Sequence, residues 1–265
     1  MAMKIDHVVI AGDDLARLVA AFSTIGLVPD AGGVHADGQT HNALIGFPDG
    51  SYLELIAPVP GGDAASHPWG AFMRHNAGTC AWAIRSENIE ADAEYFRLRG
   101  VLVGAPKPGG RLRPDGVRLE WRTCNMEVPE LMINEPPTPL GRLLPFLIQD
   151  VTPRALRVPV TASAMGIGGV AEVLIDAPTL PQWASTVFER DLNVPLVLQR
   201  EEPPEAARLE HTPNGVYGVL LTIQDSDAAQ KRYGWPDSDH RFWRDQATFW
   251  PPVEGALLGF VGEMG

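Results

Sequence analysis

The order strand, helix, strand, strand, strand occurs three times along the chain, and this repeat limits the fold more than any other feature. "KIDHVVIAG" is rich in β-branched residues and ends at Gly12. Asp13 and Asp14 then offer N-caps to "LARLVAAFSTIG", where Leu15, Leu18, Val19 and Phe22 fall at helical spacing and Gly26 supplies a stop. Strands are expected at roughly 33–36, 41–47 and 51–57, which makes residues 1–57 the first module. "TCAWAIRSENIEADAEYFRLRGVLVG" repeats the strand, the acidic helix start, the helix, a glycine and a strand. "GVRLEWRTC" and "LPFLIQD" complete a second module over about 78–150. A third, βαβββ-like module at about 165–225 runs from "GGVAEVLIDAPTLPQWASTVFERDL" through "PLVLQR" and "AARLEHT" to "GVYGVLLTI". The linkers are rich in Pro and Gly, and the Trp-rich tail at 226–265 reads as a covering segment or helix.

A unit of this kind covers one sheet face with its own helix and leaves the other open until a second unit pairs with it. The expected architecture is therefore α+β: modules one and two form a cup-shaped mixed sheet, and module three packs beside them or against a copy in another chain, as in a homodimer. A 45% hydrophobic chain of 265 residues can bury a core of that size. The net charge of −12 argues against nucleic acid or an anionic membrane as partner. Cys80 and Cys124 form no CxxC or framework spacing, and no apolar run approaches the ~20 residues of a membrane span. With no secretory pattern at the start, a cytoplasmic location is expected.

Strand alternation picks out candidate site residues. In "SYLELIA", Leu53, Leu55 and Ala57 share one face, and Tyr52, Glu54 and Ile56 the other. The leucines suit the helix, so Glu54 is expected to point into the cup. His7 alternates with Val9, and His41 with Ala43, opposite Asn42. A carboxylate in an apolar cup needs a partner or a metal, and a His/Glu set on adjacent strands suits a divalent ion such as Zn, Ni, Mn or Fe. From the strands alone, a solvent-facing Glu54 and a hydrogen-bonded core His7 are the favoured alternatives to a metal site.

"HVVIAGDDL", followed by a helix ending at Gly26-Leu27, resembles the opening of the vicinal oxygen chelate superfamily. "THNALIGFPDGSYLELIA", "RLRPDGVRLEWR" and "LPFLIQD" resemble its glyoxalase-like domain branch. The resemblance implies paired βαβββ modules and a divalent metal. It implies His7, seven residues before Asp14, as one ligand, and Glu54 in "YLELI" as another. Two more ligands are implied from the second module. There the matching positions are Ala81 (Cys80 after a one-residue slip) and Phe146, with Gln149 on a looser match. His35 and His41 are the candidates to complete the set.

The second module instead offers Trp82, Arg85, Arg113, Trp121 and Arg122 as substrate-binding candidates, since guanidinium forks bind oxyanions and indoles form flat apolar walls. Asn42 and Tyr52 join them from module one, with Glu54 and His41 as the expected catalytic residues. The chain carries no GxSxG, P-loop or dinucleotide fingerprint. The expected activity is that of a metal-dependent lyase or isomerase on a small oxygenated substrate. A sequestration protein of the bleomycin-resistance type and a non-haem iron dioxygenase are the alternatives.

Overall fold

Two side-chain caps set the frame of the first two modules. The computed structural model describes residues 3–62, 64–75, 78–127, 144–176, 196–197, 215–223, 229, 231, 241–243, 246–251 and 253–262. Strand β1 (Lys4–Ala11) leads into α1 (Leu15–Thr24), whose first turn is closed by the Asp14 carboxylate accepting from the Arg17 amide at 3.0 Å. Gly26, at φ 82°, ends that helix in a left-handed turn. Strands β2 (Asp30–His35), β3 (Thr40–Gly46) and β4 (Tyr52–Pro58) follow. A connection containing the short helix α2 (Gly70–His75) leads to β5 (Gly78–Arg85). Helix α3 (Ile89–Arg97) is capped by Asn88, which accepts from the Ala91 amide at 3.1 Å. Then come β6 (Leu102–Val103), β7 (Lys107–Leu112), β8 (Arg118–Glu127) and β9 (Phe146–Asp150), with α4 (Arg154–Arg157) after them.

These nine strands form one sheet in the order β6-β8-β7-β2-β3-β4-β1-β5-β9, and β8 also pairs with β9, so the sheet curls shut into a barrel-like cup. The two modules meet where β1 runs antiparallel to β5 and where β2 runs antiparallel to β7. Strand β7, "KPGGRL", is absent from the sequence reading because its proline and paired glycines look like a turn. The structure gives those glycines a packing role. A Cβ on Gly109 would meet the Trp121 indole Nε1 at 2.4 Å, so its absence lets the indole lie across the strand.

The second sheet has the order β11-β10-β12-β15-β14-β13, from β10 (Ile167–Asp176), β11 (Leu196–Val197), β12 (Gly215–Ile223), β13 (Arg241–Trp243), β14 (Gln246–Phe249) and β15 (Leu257–Gly262). Within the tail, 241–243, 246–249 and 257–262 are strands and Ala229 and Lys231 are helical, where a covering segment or helix was expected. "AARLEHT" and the helix expected before β11 lie outside the described residues. The second sheet packs beside the first. Val8, Ile10, Trp82 and Ile84 on the outer face of β1 and β5 share one buried cluster with Val170, Val173, Val216 and Val219 of β10 and β12. The Pro48-Asp49-Gly50 turn docks on the start of β10, where a Cβ on Gly169 would meet the Asp49 carboxylate at 2.1 Å.

A separate inner cluster includes Val9, Ile56, Ala81, Ala83, Phe146 and Ile148. The sheet therefore sorts its side chains as alternation requires. Leu53 and Leu55 face the helix side, and Ile56 faces the cup. Among the described residues no helix is long and apolar enough to cross a membrane.

Candidate functional site

The cup encloses a cavity of about 430 Å³ lined by His7, His35, Asn42, Tyr52, Glu54, His67, Trp69, Lys107, Arg111, Trp121, Phe146 and Arg157, among others. Its floor is built around Glu54, which is only 6% exposed. The Asn42 amide donates to Glu54 Oε1 at 2.6 Å, and His35 Nε2 lies 3.3 Å from the same oxygen. His7 Nε2 lies 3.5 Å from Oε2. Both imidazoles are held from behind: His7 Nδ1 is 2.7 Å from Asp6 Oδ1, and His35 Nδ1 is 2.7 Å from Thr40 Oγ1. Burial alone would raise the Glu54 carboxyl. The His35 hydrogen bond, the charges of His35 and His7 and the Asn42 amide outweigh it and hold the carboxyl down at about 2.

That depression ties stability to pH. The group stabilises the fold fully above its ordinary value of 4.5 and loses that contribution as pH falls toward 2. The melting temperature is expected to fall across this range, and to fall less in Glu54→Gln. Equal slopes in thermal melts of the two proteins would contradict the burial and pairing of Glu54.

Asp6 is fully buried beside His7 because β1 carries a bulge: the register steps from Ile5 opposite Ile84 to His7 opposite Ala83 and leaves Asp6 unpaired. Beneath it the Arg157 guanidinium donates to both Asp6 oxygens at 3.2 Å and to the Tyr52 hydroxyl at 2.8 Å. Arg154 adds a contact to Asp6 at 2.5 Å, and Asp150 binds both arginines. Burial would raise the Asp6 carboxyl, but Arg157, His7 and Arg154 hold it far below the usual carboxylate range. Tyr52 stacks on His7 with ring centroids 4.5 Å apart and is pushed well above its ordinary value by burial.

The structure brings His7, His35, Asn42, Tyr52, Glu54 and Trp121 together and leaves the other candidates elsewhere. His41 sits on the outer face of β3, because in-and-out alternation turns Asn42 inward in its place. Trp82 is fully buried in the outer core, since β5 directs Ala81 and Ala83 into the cup. The Arg85 guanidinium binds the Gly50 carbonyl and approaches Asp6. Arg113 pairs with Asp115 and the Leu156 carbonyl, and Arg122 pairs with Glu90 at the surface.

Residues that the sequence reading passed over come from connections and from β7. His67 and Trp69 lie in the Pro/Gly-rich linker, which folds over one end of the cup and continues the aromatic wall, with Trp69 6.2 Å from Phe146. Arg111 enters from β7, and Arg157 from the segment after β9. The "HPW" string was a readable signal for the first two, since a histidine and an indole in a linker have no core to serve.

The metal set implied by the family resemblance does not fit the residues present. The antiparallel pairing of Val8 with Trp82 relates the two modules by a local two-fold, which places Ala81 where His7 stands. The parallel registers of β1 with β4 and of β5 with β9 then place Phe146 where Glu54 stands. Half of a four-ligand centre is thus a methyl group and a phenyl ring. His7 and His35 meet different oxygens of Glu54, and His41 is outside. Among the described residues no three His, Cys, Asp or Glu side chains are placed to hold a metal ion.

Fold and site together define a vicinal oxygen chelate architecture: paired βαβββ modules curled into a cup with its polar groups on the helix-free face. The chain belongs to the glyoxalase-like domain family, whose model matches residues 5–186. Comparison with curated proteins gives no match. Among solved structures, a hypothetical protein from Staphylococcus aureus is similar with a TM-score of 0.65 and 14% identity, covering 98% of this chain and 99% of that one. A variant of 4-hydroxymandelate synthase from Streptomyces coelicolor is similar at 0.58 and 12%, covering 98% and 92%. 2,2',3-Trihydroxybiphenyl 1,2-dioxygenase from Sphingomonas wittichii is similar at 0.50 and 11%, covering 99% and 91%. These likenesses establish the fold.

Proposed function

We propose that the protein is a lyase or isomerase that moves a proton next to a carbonyl in a small oxygenated substrate bound in the cup, with Glu54 as the base. The observation that carries this reading is the unequal use of the two Glu54 oxygens. Oε1 is engaged by Asn42 and His35, while among the described residues Oε2 has only the 3.5 Å approach of His7 Nε2. Oε2 is therefore the oxygen with a free lone pair, held ionised and fixed in direction. A proton taken there can be shared with His7, whose far nitrogen is braced by Asp6. This arrangement keeps the proton on the floor of the cup for return to the substrate or to a leaving group.

His67 supplies the complementary donor. Its Nδ1 accepts from the Trp69 amide at 3.1 Å, so the ring proton sits on Nε2, toward the cup. Burial lowers the pKa of this imidazole and keeps it neutral at pH 7, as a donor to a carbonyl oxygen that gains charge in the transition state. Trp121, Trp69 and Phe146 hold the apolar part of the substrate and exclude water. Because the donor set does not fit the metal centre, each of these roles falls to the chain's own residues.

The test is proton NMR in deuterated buffer across a panel of small ketones, hydroxyketones and 2-oxo compounds. The wild-type chain is expected to exchange hydrogen next to the carbonyl of at least one compound, and Glu54→Gln to slow that exchange by about 10²–10⁴-fold. Unchanged exchange in Glu54→Gln would refute the assignment. The aromatic wall and the Ala81/Phe146 pair favour a second reading, sequestration of an aromatic compound. It predicts tight binding, no exchange, and equal affinity in Glu54→Gln.

A further inference from the structure

We propose that the cup selects organic monocarboxylates, with Arg111 as the carboxylate anchor; the inference rests on the cup being the substrate site. Arg111 is 4% exposed and lines the cavity from β7. Its Nη1 donates to Asn42 Oδ1 at 3.3 Å and its Nη2 to the Arg157 carbonyl at 2.6 Å, both neutral acceptors. Its Nε is buried with no hydrogen-bond partner among the described residues. No carboxylate of the described residues is within ion-pair distance of it, whereas Arg157 is clasped by Asp6 and Asp150. A buried guanidinium costs several kcal/mol unless an anion meets it, and Arg111 is among the residues that line the cavity.

The charge around the floor points the same way. Of the described groups lining the floor of the cavity, two guanidiniums (Arg111 and Arg157) stand against one carboxylate (Glu54) before any imidazole is counted, and Arg157 is already paired with Asp6 and Asp150 behind it. Lys107 adds a further cation at the mouth, where Asp37 is the opposing acid. The chain as a whole carries −12, so a cationic pocket within it is a local arrangement opposite to the surface average. Trp121 lies across Gly109, two residues from Arg111 on the same face of β7, and offers a flat apolar wall to the body of a ligand whose carboxylate reaches Arg111. The Asn42 amide bridges Arg111 to Glu54, so the anchored anion is placed beside the base and not on it.

The probes are benzoate, phenylacetate and 3-phenylpropanoate, each against its neutral amide, titrated into the whole chain by calorimetry at 50 mM and 200 mM salt. At least one acid is expected to bind 10-fold or more tighter than its amide. Arg111→Met should remove that preference, and Arg111→Lys should retain part of it. Melting curves of both variants report folding, and Arg111→Lys keeps the charge should Arg111→Met fail to fold. The proposal is overturned if no acid binds better than its amide, or if the preference survives in folded Arg111→Met. Amide binding without acid preference would leave the cup as the substrate site while removing its anion anchor. Proton exchange by Glu54 is read separately, so the two failures are distinguishable.

Discussion

Replacing Arg157 with alanine is expected to destabilise the protein by about 3–5 kcal/mol, because it strands a buried anion. Asp6 has no exposure at all, and Arg157 is its most deeply buried guanidinium partner. The same side chain donates to Tyr52 and Asp150, so the substitution also frees a buried hydroxyl and loosens the segment that closes one end of the cup. The charge-neutral double variant, Asp6→Asn with Arg157→Met, should recover part of the loss, because no uncompensated ion remains. Urea melts of the three proteins check this. A loss below 1 kcal/mol for Arg157→Ala would mean that Arg154, Arg85 and His7 satisfy Asp6 without it.

Trp82→Ala is expected to cost about 3–5 kcal/mol through loss of a large buried side chain and the cavity left behind. Trp82 is the largest fully buried side chain among the described residues, and it packs in the cluster that joins the two sheets. The expected loss is of stability alone: in the fraction that remains folded, affinity for cup ligands should be unchanged, because the indole faces away from the cavity. Calorimetric binding at a temperature well below the melt, alongside the melt itself, separates the two effects. Lost affinity in a folded variant would return Trp82 to the site.

The contrast between Trp82 and Trp121 marks what the sequence made legible. Period-two alternation placed Tyr52, Glu54 and Ile56 on the cup face and Leu53 and Leu55 on the helix face, because β4 is a regular strand. The same alternation set Asn42 opposite His41, yet it could not say which of the two faces inward until β3 was paired with β4. The cap at Asp14 was readable because an N-cap is a local event. Asp6 was not readable, since a bulge breaks alternation without changing composition. Arg111 was hidden for a related reason: the glycines that let β7 pass under Trp121 look like a turn when their partner strand is unknown. Arg157 reaches the site from the single turn of α4 and His67 from a connection, both too short to show periodicity.

The measurement that bears most directly on the central claim is the rate of carbonyl-adjacent hydrogen exchange by the wild-type chain before and after thorough chelation, with Zn, Ni, Mn and Fe(II) then restored one at a time. Because Ala81 and Phe146 occupy the positions related by the two-fold to His7 and Glu54, the chelated protein is expected to keep its full rate, and no metal is expected to raise it. A rate abolished by chelation and restored by one of these ions would contradict this, and would mean that His7, His35 and Glu54 rearrange around a metal.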